Sequence, residues 1–176
     1  MRVECPQPHR HHALSLCAKL AIPDYNGIFL RWFIEDSDRK DLHWLMVSRL
    51  VGGSQKADVL DYLLQGATRS FPKHHQQLLL VTSVRIEPAR EEDVVEFRDT
   101  WASYLTVPDS TVRAESVLKV GEMVRRLRIY SKGQDNSEDL QARLQRIADE
   151  DPDKEARDRA KYALDSIRNA HWREDG

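Results

Sequence analysis

Cysteine, glycine and proline are all scarce in this chain of 176 residues, which has two cysteines, seven glycines and seven prolines. The two cysteines, Cys5 and Cys17, are not accompanied by a pattern of spaced Cys and His, which excludes a disulfide framework and indicates a reducing compartment. No apolar run approaches the length of a membrane span, and the N-terminus lacks the pattern of a secretory signal. We therefore expect a cytoplasmic protein that does not cross a membrane.

The chain also lacks a large excess of charge of either sign. Its 27 Lys and Arg residues nearly balance 29 Asp and Glu residues, for a formal net charge of −2. This balance implies no bulk attraction to nucleic acid or to an anionic membrane, so only local patches of charge bear on binding. A content of 40% hydrophobic and 32% charged residues, with little Gly and Pro, is typical of a helix-rich protein.

Motifs that carry catalysis or hold cofactors are missing as well. Gly52-Gly53 has neither the spacing nor the following Lys-Ser/Thr of a phosphate-binding loop. His9, His11 and His12 cluster near the N-terminus, but adjacent residues of a tail point apart and do not converge on a metal ion. We expect no catalytic residue, no metal and no cofactor. The sequence favours a protein without enzymatic activity and leaves that question open.

One short pattern occurs twice at a fixed distance. Residues 108–113 read Pro-Asp-Ser-Thr-Val-Arg and residues 152–157 read Pro-Asp-Lys-Glu-Ala-Arg, each residue lying 44 positions after its counterpart. The proline suits the first turn of a helix, and the aspartate can cap it. Apolar residues then recur every three to four positions, which predicts one apolar stripe on each helix. A repeat of this period is typical of a helical solenoid.

Periodicity and turn signals predict about nine helices in a single domain over residues 11–176, after a flexible tail at residues 1–10. The clearest repeats span residues 91–131 and 136–172. Residues 76–86 combine an apolar run with strand-like alternation. We favour a helix there because a lone strand would have no partner.

Residues 107–123 and 151–167 resemble the second helix of HEAT or armadillo-like repeats, and the resemblance covers roughly residues 91–172. It implies an all-α, right-handed solenoid of helical hairpins. It also implies that the turn aspartates and the following arginines form a ladder between neighbouring repeats, which assigns this role to Asp109, Arg113, Asp153 and Arg157. The sequence departs from the family pattern at Lys119, where a small residue is preferred.

Neighbouring helices differ in charge. Six acids and two bases lie between Glu87 and Asp99, whereas six bases and two acids lie between Arg113 and Lys132. The second helices of HEAT-like folds line the concave surface, so the resemblance places this basic helix against a partner. The partner-binding residues predicted on this basis are Lys119, Glu122, Arg125, Arg126, Arg128 and Lys132. An equally weighted alternative is that the arginines pair with the adjacent acidic helix.

Three functional hypotheses follow. The first is a non-catalytic scaffold or adaptor that binds another protein or a peptide in the groove of a short HEAT-like solenoid. The second is a nucleic-acid-binding protein that contacts phosphates through the basic helix at residues 111–132. The third is an accessory part of a larger assembly, with Phe29, Trp32 and Phe33 as core residues or as a docking and self-association surface.

Overall fold

The computed structural model describes residues 57–130 and 137–170, and these ranges are helical, without a strand. The all-α prediction is therefore confirmed for this part of the chain. The elements, in order, are α1 (Ala57–Ala67), α2 (Lys73–Ser83), a 3-10 turn (Glu91–Asp93), α3 (Val94–Ser103), α4 (Ser110–Tyr130), α5 (Glu138–Glu150) and α6 (Lys154–Arg168). The sequence predicts about nine helices, three of them before residue 54, and the described residues contain six. The N-terminal tail, the three earlier helices with Phe29, Trp32 and Phe33, and Lys132 lie outside the described residues.

The helices pack as three consecutive pairs, α1 with α2, α3 with α4, and α5 with α6. Between the pairs, α4 packs extensively on α6, while α1 packs on α3. One continuous apolar core runs through these contacts, and its largest fully buried side chains include Trp101, Phe97 and Leu144. Burying side chains of this size contributes about 1.5–3 kcal/mol each, so the core rather than helix propensity stabilises the arrangement.

The ambiguous stretch at residues 76–86 is helical as far as Ser83 and then turns. Thr82 and Ser83 donate side-chain hydrogen bonds to the carbonyls of Leu78 and Leu79, one turn back in α2. After Ser83 the backbone N–H groups of Arg85 and Ile86 donate to carbonyls three residues earlier. The strand-like alternation therefore reflects a turn that directs Ile86 into the core, where it is buried.

Helix α4 is buried on more than one side, although its sequence predicted a single apolar stripe. Ten of its residues between Val112 and Val124 are buried. The cause is its central position, because α3 and α6 both pack against it and Glu87 reaches it from the segment between α2 and α3. The first four turns of α4 therefore act mainly as core.

Helices α4 and α6 run in the same direction. Glu115 contacts Arg159, Gly121 faces Ala163, and Arg128 contacts Ile167, so both helices advance together. A Cβ atom at Gly121 would overlap the Cβ of Ala163 and would lie 3.1 Å from its Cα. Glycine is required here because only a residue without a side chain lets the two backbones approach this closely.

The repeated pattern makes the same local contacts in both copies. Asp109 accepts a hydrogen bond from the Val112 N–H at 2.9 Å, and Asp153 accepts one from the Ala156 N–H at 3.0 Å. Each aspartate thereby satisfies one of the free N–H groups at a helix start.

The arginine of each copy is also used in the same way. Arg113 donates to the carbonyls of Val107 and Pro108, and Arg157 donates to those of Asp151 and Pro152. These carbonyls are 44 residues apart. The sequence repeat thus corresponds to a repeated turn that each arginine holds against the helix following it.

The contact between the two copies uses an aspartate that the pattern did not identify. Arg113 donates to both carboxylate oxygens of Asp151, at 3.0 and 2.9 Å, and the two side chains are only 11% and 7% exposed. The counterpart of Asp151 in the first copy is Val107, so the 44-residue comparison could not reveal it. The hydrogen bonds from Arg113 hold the pKa of Asp151 below its usual value.

Replacing Gly121 by Ala should destabilise the protein by about 1–2 kcal/mol, because overlap with Ala163 outweighs the gain of up to about 1 kcal/mol in helix propensity. Urea unfolding measures the effect. Gly121→Ala should cost less in an Ala163→Gly background, where the overlapping Cβ is gone. A Gly121→Ala variant more stable than wild type would contradict the close approach of α4 and α6.

Replacing Asp151 by Asn should lower the unfolding free energy by about 2–3 kcal/mol at pH 7, because it leaves the Arg113 charge buried without its partner. Since the pKa of Asp151 is lowered in the folded state, its contribution is complete above the unfolded value of about 3.9 and is lost as the pH falls below it.

The difference between wild type and Asp151→Asn should therefore narrow between pH 5 and about pH 2 in urea titrations. Asp149→Asn is a matched control, because Asp149 is an exposed carboxylate in the last turn of α5, two residues before Asp151. A difference that stays constant over this pH range would show that the Arg113–Asp151 charge pair does not contribute to stability.

Candidate functional site

Lys119, the first predicted partner-binding residue, lies in the interior. Its side chain is 9% exposed, and its ammonium group lies 2.6 Å from Glu87 and 3.0 Å from Glu122. Burial alone would lower the pKa of this lysine, but hydrogen bonds to the two carboxylates outweigh burial and raise it. The position at which the family prefers a small residue is thus occupied by a lysine that has two ionic partners.

Arg126 lies two turns after Lys119 on the same side of α4 and has related partners. It lies 2.6 Å from Glu91 and 3.5 Å from Glu87. Lys119, Arg126, Glu87, Glu91 and Glu122 therefore form one cluster, which we call the α4 charge cluster. At Lys119 and Arg126, the structure contains the alternative predicted from the sequence, in which bases of α4 pair with acids next to α3.

The remaining predicted cations have different surroundings. Arg128 is partly buried and donates a hydrogen bond of 3.0 Å to the carbonyl of Ile167, in the last turn of α6. Arg125 is exposed and makes no ion pair with another described residue. Lys132 lies beyond the described part of α4. Five of the six predicted partner-binding residues lie in the described part of the chain. Among these five, only Arg125 presents a charge without a neighbouring partner.

One side of α4 faces solvent, opposite the sides that α3 and α6 cover. Its residues recur every three to four positions and are all exposed or partly exposed: Thr111, Glu115, Leu118, Glu122, Arg125 and Ile129. Leu118 and Ile129 are apolar residues on this otherwise polar side. Such a mixture of apolar and charged residues is suited to contact with another molecule.

Helix α6 continues this surface. The residues 44 positions after Thr111, Glu115, Leu118, Glu122 and Arg125 are Glu155, Arg159, Tyr162, Ser166 and Asn169, and all are exposed or partly exposed. Tyr162 is 66% exposed. It lies between the Glu115–Arg159 and Gly121–Ala163 contacts, which places it at the level of Leu118. We call these eleven residues, which come from α4, from α6 and from the C-cap residue Asn169, the α4–α6 face.

An ion-pair bridge crosses the face between the two helices. Arg159 lies 2.7 Å from Glu115 on α4 and 2.7 Å from Glu155 on its own helix. The Nη1 atom of Arg159 is buried and forms no well-directed hydrogen bond, so the contact with Glu115 is an ion pair. Beside it lies a shallow depression of about 660 Å³, lined by residues 153–155, Asp158, Arg159 and Tyr162.

Tyr162 and Leu118 were missed in the sequence, although a signal for them existed. The predicted site consists mainly of basic residues of α4, whereas solvent-facing apolar residues become visible when the two copies of the repeated pattern are compared. Leu118 and Tyr162 are counterparts at the 44-residue spacing, and neither belongs to the apolar stripe of its helix. A large apolar residue at this position in both copies is the feature that could have identified them.

The described residues contain no group of three or more His, Cys, Asp or Glu side chains positioned to hold a metal ion. None of the described helices is both long enough and apolar enough to cross a membrane. No family model, curated protein or solved structure matches the chain. The proposed function is therefore based on the residues of the α4–α6 face.

The surroundings of Lys119 and Arg125 predict opposite roles for these two cations. Lys119→Ala should lower the unfolding free energy by about 1–3 kcal/mol, because Glu87 and Glu122 lose a partly buried counter-ion. Arg125→Ala should change it by less than about 0.5 kcal/mol, since the side chain is exposed. Urea unfolding of both variants tests the assignment. Equal effects would mean that the α4 charge cluster is not a stabilising element.

Proposed function

We propose that this chain is a non-catalytic protein-interaction module, a scaffold or adaptor in the cytoplasm, which binds a partner protein on the α4–α6 face. In this proposal the described hairpins belong to a short, right-handed HEAT-like solenoid of about nine helices. The observation that carries it is the parallel packing of α4 on α6, with the aspartate caps and the arginine–carbonyl contacts recurring 44 residues apart. Stacked pairs of this kind form extended surfaces by repetition.

The composition of the face supports binding to a protein. Interfaces between proteins are rich in tyrosine and arginine, and a few such residues usually supply much of the binding energy. Tyr162 presents an exposed aromatic ring, while Arg125 presents a guanidinium group that no described residue neutralises. Both lie on second helices of the hairpins, the position that the resemblance to HEAT repeats assigns to the partner.

Binding to nucleic acid has less support. Phosphate recognition needs several accessible cations along one surface. Lys119 and Arg126 are neutralised by Glu87, Glu91 and Glu122, and Arg128 is partly buried against the carbonyl of Ile167. Among the described residues predicted to bind a partner, Arg125 is therefore the cation that remains accessible to a phosphate group.

Tyr162→Ala should weaken partner binding by about thirtyfold if Tyr162 is a typical interface anchor worth about 2 kcal/mol. The tagged protein is purified from its own cells at low and high salt, and bound proteins are identified by mass spectrometry. Tyr130→Ala is the matched control, because Tyr130 is 62% exposed on the last turn of α4 but lies off the face. A defined protein should be lost with Tyr162→Ala and retained with Tyr130→Ala.

Charge reversal provides a second pair of variants in the same experiment. Arg125→Glu should reduce recovery of the partner, whereas Arg146→Glu, at an exposed position on α5, should not. Recovery of the same proteins with all four variants would refute the assignment of the face. Recovery of nucleic acid alone, only at low salt, would favour the second hypothesis instead.

A further inference from the structure

The α4–α6 face is polarised along the helix axes. Near the start of α6, Glu155 is 62% exposed, and Arg159 lies between Glu155 and Glu115, so this end carries one more carboxylate than guanidinium. Near the end of α4, Glu122 is paired with Lys119, whereas Arg125 is exposed and has no ionic partner among the described residues. The apolar side chains of Leu118 and Tyr162 lie between the two ends. A complementary ligand therefore carries a base, an apolar middle and an acid in that order.

The spacing along the face matches helical periodicity. Arg125 is seven residues after Leu118 on α4, and Glu155 is seven residues before Tyr162 on α6. Seven residues of an α-helix correspond to about 10 Å, or two turns. A second helix lying along the face would therefore present side chains at i, i+7 and i+14 to the three parts of the surface in succession.

The chemistry of the middle of the face also favours a helical ligand. An extended peptide placed over Leu118 and Tyr162 would bury backbone N–H and C=O groups against apolar atoms, which is costly when they have no partner. A helix satisfies its own backbone and presents an apolar stripe instead. Its side chains alone then need complementary contacts.

Electrostatics fixes the direction of that helix. Since α4 and α6 run in the same direction, their dipoles add, and a neighbouring helix is favoured in the opposite direction. An antiparallel helix places its N-terminal turn beside Arg125 and its C-terminal turn beside Glu155. Acids at the first end of a helix and bases at the last also suit the dipole of the ligand itself.

On the basis of the proposed function, we infer that the α4–α6 face binds an amphipathic helix of another protein, antiparallel to α4 and α6. An acidic residue of this helix pairs with Arg125, an apolar residue seven positions later packs on Leu118 and Tyr162, and a basic residue seven positions further pairs with Glu155. This assigns a chemical class and an orientation to the partner.

A displayed library of helix-forming peptides of about 18 residues, selected against the full chain, tests this inference. The expected consensus is Asp or Glu at i, a large apolar residue at i+7 and Lys or Arg at i+14. For a selected peptide, Arg125→Glu should weaken binding at least about tenfold, and replacing the peptide acid by Lys should restore it. Tyr130→Ala and Arg146→Glu should leave binding unchanged.

Two other outcomes would overturn the inference in distinguishable ways. Peptides that bind in a Tyr162-dependent manner but are extended, or lack the acid–apolar–base spacing, would refute the antiparallel helix and leave the proposed function intact. The same holds if the peptide charge reversal fails to restore binding to Arg125→Glu. If neither a peptide nor a cellular protein binds in a Tyr162-dependent manner, the proposed function is refuted together with the inference.

Discussion

The close approach of α4 and α6 is the constraint on which the rest of the described structure depends. Gly121 permits it, because any side chain at that position would overlap Ala163. Once the two backbones lie this close, Arg113 reaches Asp151, Arg159 reaches Glu115, and Arg128 reaches the last turn of α6. Each contact joins one hairpin to the next. The exposed side chains of both helices are thereby held at matching levels, which turns two separate helix sides into one surface.

The cations of α4 serve two different purposes, and burial separates them. A lysine or arginine that is withdrawn from water needs a carboxylate or a carbonyl as partner, and Lys119, Arg126 and Arg113 each have such partners. Arg125, which remains in water, needs none. The number of basic residues in α4 therefore overstates the positive charge that is accessible on its surface. The electrostatic character of this region is set by the acids of the segment between α2 and α3, which come from a different part of the sequence.

Much of the helical architecture could be predicted because its signals are local. The Pro-Asp turns and the three- to four-residue apolar spacing are local signals, and the helices they predict form, with the Pro-Asp turns at the starts of α4 and α6. The partner of Arg113 could not be predicted in this way. Asp151 has no counterpart in the first copy, and only the three-dimensional approach of the two hairpins brings it to the guanidinium group. Similarly, α4 is buried on several sides because its neighbours surround it. The spacing of its own apolar residues does not predict this burial.

The partner-binding residues were predicted in the basic segment at residues 119–132, and the structure shows that one of them, Lys119, is buried and paired with two carboxylates. A pattern of bases in a sequence does not reveal which of them are neutralised, whereas an apolar residue repeated at a solvent-facing position has no such ambiguity. Leu118 and Tyr162 occupy the same position in the two copies and are not needed to fill the core, because Val117, Val120, Ala163 and Leu164 already do so. Keeping large apolar side chains in water has a free-energy cost. The exposure of Tyr162 beside the partly exposed Leu118, at equivalent positions of parallel helices, is therefore the feature on which the proposed partner surface rests.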